Sequence, residues 1–385
     1  MSIYMNNAAT TWPKPKETAE AVFDFMTNHG ANLARGAASN RDIETLDSVY
    51  TCRKTLADMF GGYERRNAKF VSLTSNITES LNIVLKGMLR PGMKVVTSSM
   101  EHNAVVRPLR SAELSGIRMN VIQCSLRGFL DPQSVDKALQ DGADLAVFSH
   151  CSNVCGALQN LEAIAEVCAK HKVPLVADCA QTAGILPINA EELGLAALCF
   201  TGHKALFGPQ GTGGIIWKPE FAERCSCFIE GGTGSLSHDE HQPLQMPDKF
   251  EAGTPNLPGI AGLLASLSWI KTTGMENIRK KEDALGKRLE EGLLSIDGLK
   301  IHGPAEDDSR LPVYAVNISG KDNAVLAMHL SDRYGIETRP GLHCSPFAHR
   351  TLGTFPEGAL RLSPGFFNTE DDIDQTIDAL RTLAK

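Results

Sequence analysis

Short apolar runs that end in polar residues, alternating with helical patterns, predict an α/β protein on a mostly parallel central sheet. Two runs carry most of that expectation. Val173-Pro174-Leu175-Val176-Ala177 ends in Asp178, which reads as a buried strand delivering a carboxylate at its C-terminal edge, where open α/β sheets bind ligands. Residues 196–200 form a second run and end in Thr201-Gly202-His203-Lys204. The spacing of Asp178 and Lys204 suits two strands joined by a short crossover. After the lysine, the glycine-rich 208–214 leads into Ile215-Ile216-Trp217.

Bulk properties bound the function class. With 385 residues the chain is long enough for a sizeable core and two domains. Its 42% apolar and 22% charged content is ordinary for a soluble enzyme. A net charge of −7 gives no electrostatic footprint for nucleic acid or an anionic membrane. The start at Met1-Ser2-Ile3-Tyr4 shows no secretory pattern, and the apolar helical candidate at 260–270 is too short for a bilayer. The ten cysteines have no disulfide-framework spacing, so the expectation is a reduced, cytoplasmic protein. Cys151-x3-Cys155 and Cys225-x-Cys227 lack partner pairs at zinc-site spacing, and no metal is expected.

A lysine and a carboxylate at neighbouring strand ends have a specific chemical use. Pyridoxal phosphate (PLP) needs a lysine for its Schiff base and an acid that keeps its ring nitrogen protonated. Singly, Asp178 or Lys204 reads more readily as a structural residue; together, with Gln181 and His203 beside them, the chemical reading prevails. The stretch resembles the class V aminotransferase family, and its D-x-A-Q and T-G-H-K segments resemble those of cysteine desulfurases and selenocysteine lyases. The resemblance implies fold type I of the PLP enzymes. Residues 1–15 are expected as a segment lining the active site, 16–272 as the large PLP-binding domain and 273–385 as a smaller α+β C-terminal domain, with the boundary set at the break in the helical pattern near Thr272-Thr273-Gly274. Lys204 is then the Schiff-base lysine, Asp178 the partner of the ring nitrogen and Gln181 a donor to the ring oxygen, with Thr201 and His203 also at the cofactor.

Further motifs follow in order. Asn7-Ala8-Ala9-Thr10-Thr11 resembles the family's opening that lines the active site, which places Asn7 and Ala8 near substrate. Residues 31–36 resemble the loop that approaches the partner subunit's cofactor. Residues 70–82 read as strand, polar turn and helix, whose first amides suit a phosphate; the resemblance gives Thr78 as phosphate ligand and leaves Ile77 only its backbone. Glu101-His102-Asn103 resembles the motif whose histidine stacks on the ring and moves protons, a role carried to His102. Ser152-Asn153-Val154 resembles the segment whose asparagine helps hold the substrate carboxylate. Phe250-Glu251-Ala252-Gly253-Thr254-Pro255-Asn256 resembles the motif whose threonine, here Thr254, reaches the phosphate of the other subunit's cofactor, which implies a homodimer with a shared site. A long helical pattern over 257–294 breaks near Thr272-Thr273-Gly274. Residues 313–318 then read as strand, 323–334 as helix, and 370–383 as a helix with an acidic first turn.

Arg339-Pro340-Gly341-Leu342-His343-Cys344-Ser345 places a cysteine in a Gly/Pro-bounded loop beside a histidine and near arginines, surroundings that favour the thiolate. It resembles the R-x-G-H-H-C-A motif of the SufS-like desulfurases, with Leu342 and Ser345 departing from it. Arg361 falls in a run resembling the family segment whose arginine forks the substrate carboxylate. The short interval between Cys344 and Arg361, and Gly202, point to the same group. The resemblance implies conversion of L-cysteine to L-alanine, with Lys204, Cys344 and His102 catalytic, Arg361, Asn153 and Arg339 toward the substrate, and a persulfide on Cys344 passed to a small acceptor protein or thiol. Selenocysteine lyase activity, another class V reaction (transamination or desulfination) and a catalytically silent PLP-fold binding protein are the alternatives at this level.

Overall fold

The computed structural model describes residues 2–33 and 39–385. Among them, seven strands form one sheet in the order Val71–Thr74, Gly213–Trp217, Ala197–Thr201, Leu175–Asp178, Leu145–Ser149, Lys94–Ser98, Arg118–Ile122. The last five pair in parallel. Gly213–Trp217 is antiparallel to both of its neighbours, because a loop and not a crossover helix connects it to Ala197–Thr201. The four strands from Leu145–Ser149 to Gly213–Trp217 are buried along their whole length, as expected for apolar runs covered by helices on both faces. The parallel register sets Ser149 beside Asp178. Three polar ends, at Ser149, Asp178 and Thr201, thus gather at one edge of the sheet.

A helix start is brought against that edge. Helix Ile77–Met88 is capped by Asn76, whose side chain accepts from the Glu79 amide at 3.0 Å, while Glu79 accepts in return from the Ser75 amide at 2.6 Å. The close approach needs glycine at 213: a Cβ there would lie 2.9 Å from the Asn76 backbone and 2.9 Å from the Phe200 carbonyl.

The helical pattern over 257–294 resolves into Leu257–Thr273 and Met275–Leu294, parted at Gly274 with φ +87°. Beyond it an antiparallel sheet runs Arg339–Gly341, Ala359–Leu362, Tyr314–Ile318, Leu299–His302. Leu285, Leu289, Leu293, Leu330, Ile373 and Ile377 pack on it in a separate core. Ile3 and Met5 belong to that core, since Ile3–Tyr4 pairs in parallel with Ile336–Glu337. The chain's early residues are therefore held against its late ones, and the following residues pass over the edge of the large sheet.

Candidate active site

Lys204 follows strand Ala197–Thr201 in a loop pinned from both sides. The Gly202 amide donates to the Thr212 carbonyl at 2.8 Å, and the Phe207 amide to the Lys204 carbonyl at 2.8 Å. From the early segment, the Thr11 hydroxyl donates to the Lys204 carbonyl at 3.0 Å, and Thr10 and Lys14 donate to the His203 carbonyl at 3.0 and 2.7 Å. Burial lowers the Lys204 amine to about 8, with Asp178 opposing and Arg361 and Arg339 reinforcing the shift. Asp178 is buried and accepts from the Ala180 amide at 2.9 Å; burial raises its pKa, against the pull of that amide and of Lys204. Gln181 donates to the Ala8 carbonyl at 3.0 Å, so Ala8 acts by its backbone. The Thr201 hydroxyl is buried and donates to the Thr212 carbonyl at 3.4 Å. His203 is held neutral by burial, at about 4, and its Nδ1 is buried without a partner among the described residues.

His102 caps helix Asn103–Glu113 with its ring: Nδ1 accepts the Ala104 amide at 3.0 Å, which puts the ring proton on Nε2. Burial, then the charges of Lys204 and Arg339, lower it to about 3. Its neighbour in the motif is Glu101, to which the sequence assigns no role. Glu101 is fully buried and accepts from the Ser98 hydroxyl at 2.5 Å and from the Ser149 hydroxyl and amide at 2.7 and 3.0 Å. Burial raises it to about 7, and Asp178 adds to the rise. A buried acid thus sits one serine away from the Asp178 strand end.

At the helix start, Thr78 is exposed and Ile77 is buried, in the core cluster that also holds Val105 and Ile215. The amides of Ile77 and Thr78 make no hydrogen bond among the described residues, which leaves them open to an anion. Thr254 is exposed and lines a cavity of about 710 Å³ together with Ser75 and Glu79 of the helix start, Gly211 and the Arg53–Glu251 ion pair. Of residues 31–36, Ala34, Arg35 and Gly36 lie outside the described residues.

Arg361 is buried on its strand. Its Nη1 donates to the Asn153 carbonyl at 2.9 Å and its Nη2 to the Asn6 side-chain oxygen at 2.7 Å, while Nε is buried without a partner. Burial and Arg339 lower it to about 9. Here the structure places three of the expected residues in contacts of their own. Asn7 is buried and faces away, bonded to the Ser363 carbonyl, Asn368 and the Trp12 amide, and Asn6 is the residue that meets Arg361. The Asn153 amide is taken up by the cysteine loop, donating to the His343 carbonyl at 2.9 Å and accepting from Ser345 at 2.8 Å. His343 does not turn toward the thiol; its ring is buried between His349 Nε2 at 3.0 Å and the Arg339 carbonyl at 2.9 Å, and burial holds it neutral at about 2.

The thiol's charged neighbour is Arg339, whose Nη2 lies 3.6 Å from Cys344 Sγ. Cys344 has φ +57° and is exposed, whereas eight of the other cysteines are buried and Cys227 is half-buried. Its carbonyl accepts the Asn103 amide at 2.8 Å, which fixes the thiol loop on the His102 helix. The strand-end lysine and carboxylate, the guanidinium and the thiol thus converge, and the Lys204 amine senses Asp178, Arg361, Arg339 and Cys344 together.

Such an α/β scaffold, with a buried lysine–carboxylate pair facing an arginine, is that of an enzyme acting on amino acids. The chain belongs to the class-V aminotransferase family, whose model matches residues 3–376. The family is PLP-dependent in general. Among curated relatives, a probable cysteine desulfurase of Pyrococcus abyssi is 30% identical, with 100% of this chain and 94% of that protein covered. Another from Xylella fastidiosa is 31% identical over 100% of this chain and 91% of its own. The apo structure of a cysteine desulfurase from Thermococcus onnurineus superposes with a TM-score of 0.92 at 28% identity, covering 100% and 94% of the two chains. An Escherichia coli cysteine desulfurase, with an S-sulfonic acid, gives 0.87 at 25% identity and covers 99% and 94%.

Proposed function

We propose that this chain is a PLP-dependent cysteine desulfurase that releases L-alanine from L-cysteine and takes the sulfur as a persulfide on Cys344. The carrying observation is the exposed thiol beside Arg339, on a loop fixed to the His102 helix and facing the Lys204–Arg361 site.

The residues fit the cofactor. Lys204 offers an amine with a lowered pKa and no hydrogen-bond partner among the described residues, Asp178 a buried carboxylate, Gln181 an amide at hand, and Ile77 and Thr78 free N–H groups for the phosphate. The unpartnered His203 Nδ1 faces that need as well. When bound, the cofactor supplies an electron sink for negative charge at the substrate α-carbon. Arg361 takes the substrate carboxylate: of its five N–H donors two are engaged, which leaves three. Lys204, with an amine near neutrality, removes and returns the α-proton. The Cys344 thiolate, held by Arg339, attacks the substrate sulfur; its new S–S bond forms as the substrate C–S bond breaks, and the electron pair stays with the carbon skeleton that becomes alanine. His102, neutral with its proton on Nε2, donates at that step. Asn153 and Asn6 act as positioning residues for Arg361 and the loop.

The exposure of Thr254 supports a homodimer in which it serves the partner's cofactor. The domain division at 1–15, 16–272 and 273–385 and a cytoplasmic location belong to the same proposal; among the described residues, no helix is long and apolar enough to cross a membrane.

The test is alanine release from L-cysteine and from L-selenocysteine, for the wild type and Cys344→Ala. Cysteine turnover that collapses in the variant, with one added sulfur on the Cys344 peptide of the wild type, is the expected result. Turnover of selenocysteine alone, or full activity in the variant, replaces the desulfurase with a lyase.

A further inference from the structure

We propose that Glu101 and Asp178 form one acid pair that holds a single proton across the Ser149 hydroxyl, with Glu101 a positioning residue that acts through Asp178 on the cofactor ring. The inference rests on the PLP reading for what Asp178 faces, but the pair itself is read from buried contacts.

Three adjacent strands bring the pair together. Glu101 follows the strand end at Ser98, Ser149 closes the next strand, and Asp178 closes the one after, set beside Ser149 by the parallel register. Residues opposed in that register send their side chains to one face of the sheet, from strands about 4.8 Å apart. Glu101 and Asp178 are both buried. Every hydrogen bond that Glu101 accepts among the described residues comes from two serines: the Ser98 hydroxyl at 2.5 Å, the Ser149 hydroxyl at 2.7 Å, and the Ser149 amide at 3.2 and 3.0 Å to its two oxygens. No lysine or arginine is among these donors. Asp178 accepts the Ala180 amide at 2.9 Å, and the Ser149 hydroxyl steadies its carboxylate too. The other titratable groups around Glu101 are uncharged: burial keeps the Cys124 thiol protonated, at about 11, and the His102 ring neutral, at about 3. The charge that bears on Glu101 is that of Asp178, and the charge that bears on Asp178 is that of Lys204.

Two carboxyl groups so close and so dry resist double ionisation, and like charges push their titrations apart. Lys204 favours the charge on Asp178, which leaves the shared proton on Glu101. The Ser98 oxygen already accepts the Met100 amide at 3.1 Å, so the Glu101 proton is donated to Ser149. A serine hydroxyl has one proton of its own, and that proton then turns to Asp178. When Glu101 ionises, Ser149 turns back and Asp178 loses a donor. Asp178 paired to a protonated ring nitrogen repels Glu101 less, so Glu101 gives up its proton more readily when the cofactor is bound. Two negative charges behind the ring then hold the ring proton to higher pH than Asp178 does alone.

Infrared pH-difference spectra of the full chain without cofactor follow the carboxylic acid C=O band that Glu101→Gln removes. Its midpoint is expected to fall by about one pH unit in Asp178→Asn, because a like charge is gone. With Ser149→Ala in both chains, the same comparison is expected to give less than about half that shift, since the bridge that couples the sites is cut. A midpoint unmoved by Asp178→Asn overturns the pair, and an undiminished shift without the Ser149 hydroxyl overturns the sharing of a proton across it. In the PLP-loaded enzyme, the ring-nitrogen NMR shift of isotope-labelled PLP reads the ring proton. Glu101→Gln is expected to lose that proton about one pH unit lower than the wild type; equal midpoints remove Glu101 from any action on the ring. Should Glu101→Gln fail to fold, the Asp178→Asn and Ser149→Ala spectra still decide the pair. If the chain binds no PLP, the cofactor reading fails while the cofactor-free spectra still decide whether the two carboxyl groups share a proton.

Discussion

Replacing Arg361 with lysine keeps the charge and removes the fork, so it isolates what the planar guanidinium does. The wild-type group is held on one side by the Asn153 carbonyl and on the other by Asn6, and so is aimed before the substrate arrives. A lysine amine offers a single point of attachment. The loss of one charge-assisted hydrogen bond to the carboxylate costs about 1.5–3 kcal/mol, or about 10- to 150-fold in kcat/KM. The Asn153 carbonyl also loses its donor, and the Asn153 side chain holds the His343 carbonyl and Ser345. The thiol loop should therefore loosen, and kcat should fall along with the rise in KM. Steady-state alanine formation over a range of L-cysteine concentrations separates the two, with thermal unfolding as a check on folding. A KM within twofold of the wild type in Arg361→Lys would refute Arg361 as the carboxylate ligand.

Two further perturbations read the interior. Glu101, buried and raised to about 7, binds a proton more tightly in the folded chain than in the unfolded one. Its contribution is therefore present at low pH and declines as pH rises from the usual carboxylate range through about 7, by roughly 3 kcal/mol at most. Glu101→Gln should flatten the fall in melting temperature between acidic and mildly alkaline pH; an unchanged profile would remove Glu101 from that account. Gly213→Ala puts a Cβ 2.9 Å from the Asn76 backbone and should push the Ile77–Thr78 amides off the sheet edge. Titration with PLP should show affinity lowered by more than tenfold, with L-cysteine KM in the saturated enzyme changed less.

The fold and the chemical centre were legible because their signals are local. A strand end is written as an apolar run followed by a polar residue, so Asp178 and Lys204 announce themselves within a few positions. What stayed hidden depends on distant partners. Asn6 and Asn7 are equivalent in sequence, and only the pairing with Ser363, with Met5 and Asn7 turned into the core, decides which one faces Arg361. Glu101 looked like the neighbour of a histidine until Ser149 was brought beside it from another strand. The orientation of His343 hangs on a backbone at φ +49° and on His349, neither of which its immediate neighbours reveal.

The bonds that tie residues 3–11 to 336, 363 and the Lys204 loop have a temporal consequence. During synthesis the early segment waits for most of the chain to leave the ribosome before its partners exist. The large sheet can assemble while translation continues, but the pocket around Lys204 gains its cover only when the late strands dock and carry Arg361 and Cys344 with them. Nascent chains of such high contact order mature slowly. Cys344, Arg361 and Lys204 thus come together only in a finished molecule.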